Sequence, residues 1–455
     1  MSEKTSKLSR RTLLKGAAAA TAFTIIPRHV LGGNGHVAAS DKINIATIGA
    51  GGMGHSNTKN CSSQNIVALC DVDDVRGQKT FEMFPDAKRY KDFRVMLEKQ
   101  KDIDAVIVAT PDHTHTVAAM MAIKLGKHVY VQKPLTRLVS EARALTEAAR
   151  EYKVASQMGN QGHSADGVRD TCELIWDGAI GDIREVHAWT NRPVWPQGIG
   201  RPADTPVVPS TLDWDLWQGP APVRPYHPVY LPFGWRAWWD YGAGALGDMA
   251  CHILDPVFTC LKLKYPESVE ASVSMFVSPE KMWVKVDNKE TFPRASIVRY
   301  KFPAREGMPA VKLNWYDGGL MPERPEELGP DEKMSDGGSG VLFIGDKGKL
   351  LCGTYGGNPR LLPKSYHDAY PTPPKTIKRI TVSHEENWIA ACKGGEPATS
   401  NFEYSGPMTE AVVMGNLANR YPQKKLMWDG ANMRVTNFDE ANDYVKMHYR
   451  DGWTL

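Results

Sequence analysis

The fold of this chain is decided by residues 43–54, Ile43-Asn44-Ile45-Ala46-Thr47-Ile48-Gly49-Ala50-Gly51-Gly52-Met53-Gly54. The first six residues are typical of a buried strand, and the rest form a turn of the type G-x-G-x-x-G. Gly49 permits the tight turn, Gly51 lets the backbone approach a pyrophosphate, and Gly54 lets a helix pack closely on the strand. Gly52 and Met53 then lie at the helix N-terminus, whose N–H groups face the phosphates. The alternative is a purely structural glycine turn.

A second apolar run, residues 66–70, follows a helix-length segment and ends at the acid Asp71. Asp71 lies 17 residues after Gly54, close to the usual offset for a carboxylate that accepts the ribose 2′-hydroxyl. A carboxylate at that position repels a 2′-phosphate. The sequence therefore predicts that the cofactor is NAD and not NADP.

Length and composition describe an ordinary globular protein of two domains. The 455 residues contain 42% hydrophobic and 24% charged residues. The formal net charge is +3, but residues 1–39 hold six basic residues and one acid, so the remainder carries 49 basic and 51 acidic residues. This balance does not favour nucleic acid or an anionic membrane as a partner. The seven scattered cysteines predict neither a disulfide framework nor a zinc site.

The N-terminus, residues 1–39, predicts a twin-arginine signal peptide and a periplasmic or otherwise exported protein. Arg10 and Arg11 precede a mildly apolar stretch, Gly16 to Ile26, that is too short to form a stable membrane span. Val37-Ala38-Ala39 offers small residues for cleavage, and a retained anchor is the alternative. The twin-arginine signal is read by the export machinery, which thus becomes an expected partner.

Residues 40–160 predict an NAD-binding Rossmann domain in which strands alternate with helices, as in a parallel sheet. Strands over 103–109 and 128–131 end at Thr110-Pro111 and Gln132-Lys133, and a helix is predicted over 117–125. Ligands bind beyond the carboxyl ends of such strands. Gly49, Asp71, Thr110 and Lys133 are therefore expected on one edge of the sheet.

Residues 161–455 predict a second α/β domain with a mostly antiparallel sheet and helices on one face. Strands are predicted over 184–190, 269–277, 296–302, 311–316, 341–344 and 349–352, and helices over 382–393 and 407–420. Between Pro193 and Pro232 the chain carries ten of its 31 prolines. This irregular arm is either functional or a packing element.

Four motifs together resemble the Gfo/Idh/MocA oxidoreductases, in the twin-arginine exported subgroup. They are the glycine turn, Thr110-Pro111-x-x-x-His115, Lys133-Pro134 and Asp248-x-x-x-His252. The resemblance implies a Rossmann domain joined to an α/β domain with an open, largely antiparallel sheet, and oxidation or reduction of a sugar or polyol hydroxyl with a bound nicotinamide. It is compatible with a homo-oligomer. One residue departs from the family pattern, because Gln132 stands where a glutamate usually precedes Lys-Pro.

The candidate catalytic residues are Lys133, Asp248 and His252. Asp248 and His252 lie four residues apart, so on a helix they share one face. The histidine can take the hydroxyl proton while the aspartate orients its ring and stabilises the imidazolium. Lys133 can stabilise the developing alkoxide or pass the proton on. The family resemblance implies this trio as the catalytic group, and a solvated Asp–His pair is the alternative.

Further residues are expected to contact the cofactor or the substrate. His115 is expected near the cofactor and not on a metal, since His113 and His115 have no further ligands. Seven of the 13 tryptophans lie between residues 189 and 239, and flat aromatic faces suit sugars; a small packed core or interface is the equal alternative. The predicted substrate residues are Asn160, Gln161, His163, Arg192, Trp235 and Arg236.

Export adds a physical constraint, because nicotinamide is not freely supplied outside the cytoplasm. Loading NAD before export and never releasing it satisfies this constraint. The sequence thus predicts an exported oxidoreductase that transfers hydride between tightly bound NAD and a sugar or glycoside hydroxyl. The alternatives are an NAD-dependent glycosidase acting through a transient 3-keto sugar and a non-catalytic sugar-binding protein.

Overall fold

The structure, a computed structural model, describes residues 41–278, 282–286, 288–335 and 337–455. The predicted signal peptide, residues 1–39, lies outside the described residues. Asn44–Leu455 form one compact unit, which contains every α-helix and β-strand of the described part. None of its described helices is both long and apolar enough to cross a membrane.

The secondary structure alternates in the first part of the chain and becomes strand-rich afterwards. The strands are β1 Asn44–Ile48, β2 Asn65–Cys70, β3 Lys88–Tyr90, β4 Ala105–Val108, β5 His128–Val131, β6 Ser156–Met158, β7 Ile183–Trp189, β8 Ser268–Val273, β9 Phe276–Val277, β10 Lys285–Val286, β11 Ser296–Phe302, β12 Val311–Tyr316, β13 Gly340–Gly345, β14 Lys349–Gly353, β15 Arg360–Leu362, β16 Leu426–Asp429 and β17 Arg434–Val435. The helices are α1 Met53–Asn60, α2 Asp74–Met83, α3 Phe93–Lys99, α4 Asp112–Lys124, α5 Val139–Glu151, α6 Asp166–Trp176, α7 Trp214–Gln218, α8 Gly244–Ile253, α9 Asp255–Leu261, α10 Lys364–Ala369, α11 His384–Cys392 and α12 Phe402–Arg420.

The first six strands form a parallel sheet in the order β3-β2-β1-β4-β5-β6. Every residue of β4 is buried, as expected for a strand covered by helices on both faces. This sheet confirms the predicted Rossmann architecture. The predicted helix over 117–125 begins earlier, at Asp112, because the turn after Pro111 is already helical. The sequence prediction named neither β3 nor α3.

Hydrogen bonds between the strand ends bring four loops to one edge of the parallel sheet. The Gly49 N–H donates to the Cys70 carbonyl at 2.8 Å, and the Ala109 N–H donates to the Ile48 carbonyl at 2.8 Å. In the same way, the Gln132 N–H, in the loop after β5, donates to the Val108 carbonyl at the end of β4 at 2.9 Å. The carboxyl ends of β1, β2, β4 and β5 thus meet at one place, as the sequence predicted.

The second sheet has nine strands in the order β15-β14-β13-β7-β12-β11-β8-β16-β17. Its pairs are antiparallel except β7 with β12, so the predicted mostly antiparallel sheet is confirmed. The predicted strand over 269–277 is divided into β8 and β9. Residues of both sheets share one continuous hydrophobic core, into which α8 and α12 also pack. This shared core fixes α8 against the cofactor edge.

Candidate active site

The glycine turn holds the backbone of β1 and α1 in close contact. Gly49 has φ +84°, a left-handed conformation that favours glycine. A Cβ atom on Gly54 would lie 1.8 Å from the Gly49 carbonyl oxygen, so only glycine fits there. Gly52 is the residue before α1 and makes no side-chain cap, and Met53 is the first helical residue, half exposed. The N-terminus of α1 is therefore open in front of the turn.

Asp71 lies directly after β2 and faces the glycine turn. Its Oδ2 accepts the Gly51 N–H at 3.1 Å, and its Oδ1 accepts the Asp73 N–H at 3.0 Å. Burial raises the pKa of Asp71 to about 6, although these backbone donors act in the opposite direction. Across the edge, Thr110 Oγ1 is buried with no hydrogen-bond partner among the described residues. A dinucleotide fits this edge of the sheet. Asp71 is at the position for the ribose, Thr110 has an unpartnered hydroxyl, and the N-terminus of α1 is open to the phosphates.

Two of the predicted cofactor residues play supporting roles. The ring nitrogens of His115 lie 2.9 Å from the carbonyls of Pro134 and Thr110. The side chain therefore joins the loops after β4 and β5 and offers no free nitrogen to a cofactor; burial lowers its pKa to about 4. Gln132 is likewise buried and donates to Asn57 Oδ1 at 2.8 Å. Both residues hold the loops of the cofactor edge in place through these hydrogen bonds, and the expectation that His115 lies near the cofactor stays a prediction.

The predicted catalytic residues come together from distant parts of the chain. Lys133 Nζ lies 3.1 Å from Asp248 Oδ1 and also donates to the Asp248 carbonyl. Asp248 and His252 are both buried on α8, one turn apart. The loop after β5 and the helix α8 thus form one site at the cofactor edge, with a lysine, an aspartate and a histidine as its central groups.

Two arginines complete the surroundings of Asp248. Arg236 Nε donates to Asp248 Oδ1 at 3.1 Å, and Arg192 Nε lies 3.9 Å from Asp248 Oδ2. Burial by itself would raise the pKa of Asp248, but Lys133 and Arg236 outweigh it and hold the pKa below its usual value. Asp248 is therefore a carboxylate shared by three cations. Arg192 and Arg236, predicted as substrate residues, both reach this centre.

His252 is positioned as a neutral imidazole. Burial, assisted by the charge of Lys133, lowers its pKa well below the usual value. Its Nδ1 has no hydrogen-bond partner in the described part of the chain. The ring meets Tyr355 edge-on, with centroids 5.0 Å apart. A neutral histidine with an unpartnered nitrogen can accept a proton, which is the role expected of a general base.

The loop after β6 supplies a second group of polar residues. His163 Nδ1 lies 2.8 Å from Asp255 Oδ1, which also accepts a hydrogen bond from Tyr404. Asn160 is fully buried; its Oδ1 accepts from Ser400, while its Nδ2 has no partner among the described residues. Gln161, in contrast, is exposed. Of the three residues predicted here, His163 and Asn160 are thus buried and built into the fold, and Gln161 faces the surface.

The tryptophan-rich arm is mainly a packing element. A small core separate from the main one contains Trp195, Trp217, Trp235 and Trp238. Trp235 is only 6% exposed, and the Arg236 guanidinium lies 4.2 Å above its ring. Its ring is therefore covered, which corrects the expectation that Trp235 offers a flat face to a sugar. The packed core, the second of the two readings of this arm, is what the structure shows.

The arm also contacts the cofactor edge. The Asp213 N–H donates to the Val72 carbonyl at 2.9 Å, and the Asp74 N–H donates to the Thr211 carbonyl at 3.1 Å. These two bonds join residues 211–213 to the segment that directly follows Asp71. The arm thus contacts the segment that follows β2, beside the ribose position of the predicted cofactor.

Sequence reasoning missed two residues near the site. Asp112 is buried, accepts the Ala243 N–H at 3.0 Å, and burial raises its pKa to about 7. Tyr355 has φ +63° and stands between the His252 ring and Gly162, where a Cβ would lie 2.1 Å from the tyrosine ring. Asp112 lay next to the quoted Thr110-Pro111 motif and could have been found there. Tyr355 had no local signal, because its position depends on a tertiary contact.

Two family descriptions match this chain. The oxidoreductase family with an NAD-binding Rossmann fold matches residues 43–160, and the C-terminal alpha/beta domain of that oxidoreductase family matches residues 185–280. The chain belongs to the Gfo/Idh/MocA oxidoreductase family. The glycine turn, Thr110 and Asp71 therefore belong to an NAD-binding domain, in agreement with the predicted cofactor.

Curated relatives match mainly over part of their length. Levoglucosan dehydrogenase of Pseudarthrobacter phenanthrenivorans is 27% identical over 36% of this chain and 34% of its own. Inositol 2-dehydrogenase of Salmonella typhimurium is 28% identical over 32% of this chain and 44% of its own. This chain therefore spans less than half of the length of these relatives. The same holds for an uncharacterized oxidoreductase of Streptococcus pneumoniae.

Solved structures agree with the fold over most of the chain. The WlbA dehydrogenase of Bordetella pertussis, in complex with NADH and UDP-GlcNAcA, has a TM-score of 0.56 at 16% identity and covers 85% of this chain and 99% of its own. An inositol dehydrogenase homolog of Azotobacter vinelandii, with NADH and myo-inositol, has a TM-score of 0.54 at 16% identity, with 85% and 98% covered. At these identities the likeness concerns the fold.

Proposed function

We propose that this protein is an exported, NAD-dependent oxidoreductase that acts on a hydroxyl of a sugar, a glycoside or a related polyol. The observation that carries the proposal is the ion pair between Lys133 Nζ and Asp248 Oδ1 at 3.1 Å, with His252 one helical turn away. These groups lie at the carboxyl edge of an NAD-binding sheet. The names of the relatives, levoglucosan dehydrogenase and inositol 2-dehydrogenase, support a sugar or polyol as substrate.

The site residues divide the work of removing a hydroxyl proton. The neutral imidazole of His252 accepts the proton from the substrate hydroxyl. Asp248 then stabilises the imidazolium, because its low pKa keeps it ionised. The Lys133 ammonium, together with Arg236, stabilises the negative charge that develops on the substrate oxygen. Bound NAD would supply the electron-pair acceptor at its nicotinamide, held by the glycine turn, Asp71 and Thr110.

Tight retention of NAD is part of the proposal. The hydrogen bonds from residues 211–213 to Val72 and Asp74 support it, because they place the arm over the strand end beside the ribose position. A cofactor loaded before export through the twin-arginine pathway would then stay bound in the periplasm. NAD(H) should therefore be released from the purified protein by denaturation. A protein that is empty as isolated, and that needs millimolar added NAD, would contradict retention.

A second candidate is an NAD-dependent glycosidase that acts through a transient 3-keto sugar. The buried His163–Asp255 pair favours it, because elimination of a glycosidic bond needs acid–base groups beyond the one that serves oxidation. Oxidation at C3 would acidify the C2 proton, a base would remove that proton, and the bond to the leaving group at C1 would break as the leaving group takes up a proton. Water would then add to the resulting C1–C2 double bond, and the hydride would return from the reduced cofactor to C3, so that the cycle would end with NAD in its starting state.

One experiment separates these activities. The purified protein is incubated with a panel of sugars, glycosides and polyols, while absorbance at the NADH maximum and product mass are followed together. A lasting absorbance change with intact glycosidic bonds identifies a dehydrogenase, and bond cleavage without a lasting change identifies a glycosidase. Lys133→Met and His252→Ala should abolish either activity, whereas Arg434→Gln, on the distant β17, should not. Sugar binding without turnover in the wild type would identify a non-catalytic binding protein.

Export and assembly are tested separately. Replacing Arg10 and Arg11 by lysine should retain the protein in the cytoplasm, as measured by cell fractionation. Equal periplasmic amounts of the two forms would contradict the twin-arginine route. A homo-oligomer is tested by light scattering of the purified protein, where the mass of a single 50.4 kDa chain would contradict it.

A further inference from the structure

A second cavity lies apart from the catalytic residues. Its volume is about 240 Å³, and its walls are the beginning of α5, the last turns of α12, the loop before α8 and residues 444–447. Neither Lys133, Asp248 nor His252 lines it. Pockets for drug-sized ligands usually measure roughly 300–1,000 Å³, so this volume suits a smaller molecule.

Positive charge dominates the walls of this cavity. Four basic side chains line it, namely Arg137, Arg224, Lys289 and Arg420. The two acids in the wall, Asp240 and Glu290, both pair with Arg201, which stands outside the cavity, and Asp240 also pairs with Arg224 of the wall at 2.9 Å. Arg420 makes no ion pair among the described residues; its guanidinium lies 3.7 Å over the Tyr444 ring and 5.2 Å from the Trp239 ring. Two guanidinium groups of the wall, those of Arg137 and Arg420, therefore form no ion pair in the described part of the chain.

Two buried polar atoms in the wall have no partner. The Asn416 side chain is only 6% exposed; its Nδ2 donates to the Ala243 carbonyl at 2.8 Å, while its Oδ1 has no partner in the described part of the chain. Arg137 Nε is likewise buried and unpartnered there, although its Nη1 donates to the Trp239 carbonyl at 2.8 Å. Buried polar atoms are nearly always hydrogen-bonded, because leaving one unpaired costs about 1–3 kcal/mol. One residue with an unpaired acceptor and one with an unpaired donor thus line the same cavity.

We propose that this cavity binds a small polyhydroxylated anion, such as a sugar acid or a sugar phosphate. The carboxylate or phosphate group is held by the guanidinium groups of Arg137 and Arg420, which form strong charge-assisted hydrogen bonds with such oxygens. Asn416 Oδ1 accepts a hydrogen bond from a hydroxyl of the ligand, which a simple inorganic anion does not provide.

The position of the cavity ties this ligand to the catalytic site. Arg137 lies four residues after Lys133, and Trp239 lies three residues after Arg236. The hydrogen bond from Arg137 to the Trp239 carbonyl joins the two loops that carry these catalytic-site cations. An anion bound to Arg137 therefore contacts both loops at once. This site is separate from the proposed oxidoreductase site and does not depend on its activity.

Calorimetric titration of the purified protein tests the proposal, with D-glucuronate, D-glucose 6-phosphate and D-glucose as probes. At least one of the anions should bind ten-fold or more tightly than glucose, and the tighter one shows whether the anionic group is a carboxylate or a phosphate. This binding should persist in Lys133→Met, in which the catalytic site is altered, and in the surface control Arg434→Gln. It should weaken at least ten-fold in Arg420→Gln.

Three results would overturn the proposal: no binding of either anion, equal binding of glucose, or binding that disappears in Lys133→Met and remains in Arg420→Gln. Circular dichroism checks that Arg420→Gln is folded. If it is not, two measurements decide in its place. Arg137→Gln should weaken anion binding ten-fold, and raising the salt concentration from 50 to 500 mM should weaken it in the wild type, because salt screens ionic attraction. Unchanged binding in both measurements would overturn the proposal equally.

Discussion

Replacing Asp248 by asparagine tests the electrostatic centre of the site. The carboxylate of Asp248 is only 8% exposed and lies within 4 Å of Lys133, Arg236 and Arg192. Asparagine keeps the shape of the side chain and removes the charge, so three cations lose their common partner. Removing one member of a buried ion pair usually costs about 3–5 kcal/mol. Since the three cations are 14%, 18% and 31% exposed, they regain part of their hydration, and we expect a loss near 3 kcal/mol.

The loss of unfolding free energy in Asp248→Asn should depend on pH in one direction. The pKa of Asp248 in the folded protein is below the ordinary value, so its stabilising contribution is complete above that value and is lost as the pH falls through the folded pKa. The difference in unfolding free energy between wild type and Asp248→Asn should thus be constant from pH 7 to 5. It should narrow only below pH ~4, the ordinary pKa of an aspartate.

Activity should fall as well, because the imidazolium of His252 loses the charge that stabilises it. A positioned acid–base group contributes roughly 10²–10⁴-fold in rate, and we expect kcat to drop by about 10²-fold in Asp248→Asn. Urea unfolding and NADH absorbance measure the two effects, with Asp215→Asn, an exposed partner of Arg450, as the matched control. A variant with wild-type stability and kcat within about three-fold would refute this account of the site.

Three further substitutions test the cofactor edge and the substrate side. Gly54→Ala should weaken NAD binding at least ten-fold in a fluorescence titration, because the new Cβ meets the Gly49 carbonyl, whereas Gly200→Ala, with no neighbour within 4 Å, should not. The affinity of the wild type for NAD should fall from pH 7.5 to 5, because Asp71, with a pKa of about 6, takes up a proton. Asp71→Asn should remove this pH dependence. The same dependence of NAD affinity on pH in both proteins would contradict the role of Asp71 at the ribose position. Gly162→Ala should displace the Tyr355 ring from His252, lowering kcat while NAD affinity stays constant, and Gly200→Ala is again the control.

Elements with a strong local signal could be predicted from the sequence. The glycine turn, the strand ends at Asp71 and Thr110, and the Asp248–His252 helix all follow from spacing and apolar runs, and the structure places them as expected. Short elements such as β3, with three residues, carry too few side chains to show a period. The first turn of the helix that begins at Asp112 could not be predicted for a different reason, because the five residues 112–116 are all polar and show no apolar face.

Roles that depend on tertiary partners could not be predicted. The sequence shows that Trp235 is aromatic and suited to a sugar, but only the fold shows that Arg236 and the arm's own core cover its ring. His115 likewise belongs to a recognisable motif, and the two carbonyls that occupy its nitrogens come from separate loops. In each case the residue type was informative about chemistry, whereas the surroundings of the side chain depended on contacts that form only in the folded chain.

The glutamine at position 132 explains why the lysine depends on the second half of the chain. Gln132 donates to Asn57, on the far side from the catalytic centre, and contributes no charge to Lys133. The carboxylate that pairs with Lys133 in the described residues is that of Asp248, on α8. The lysine thus takes its carboxylate partner from a helix of the second sheet's half of the fold, so the catalytic centre is assembled by the packing of α8 against the loop after β5.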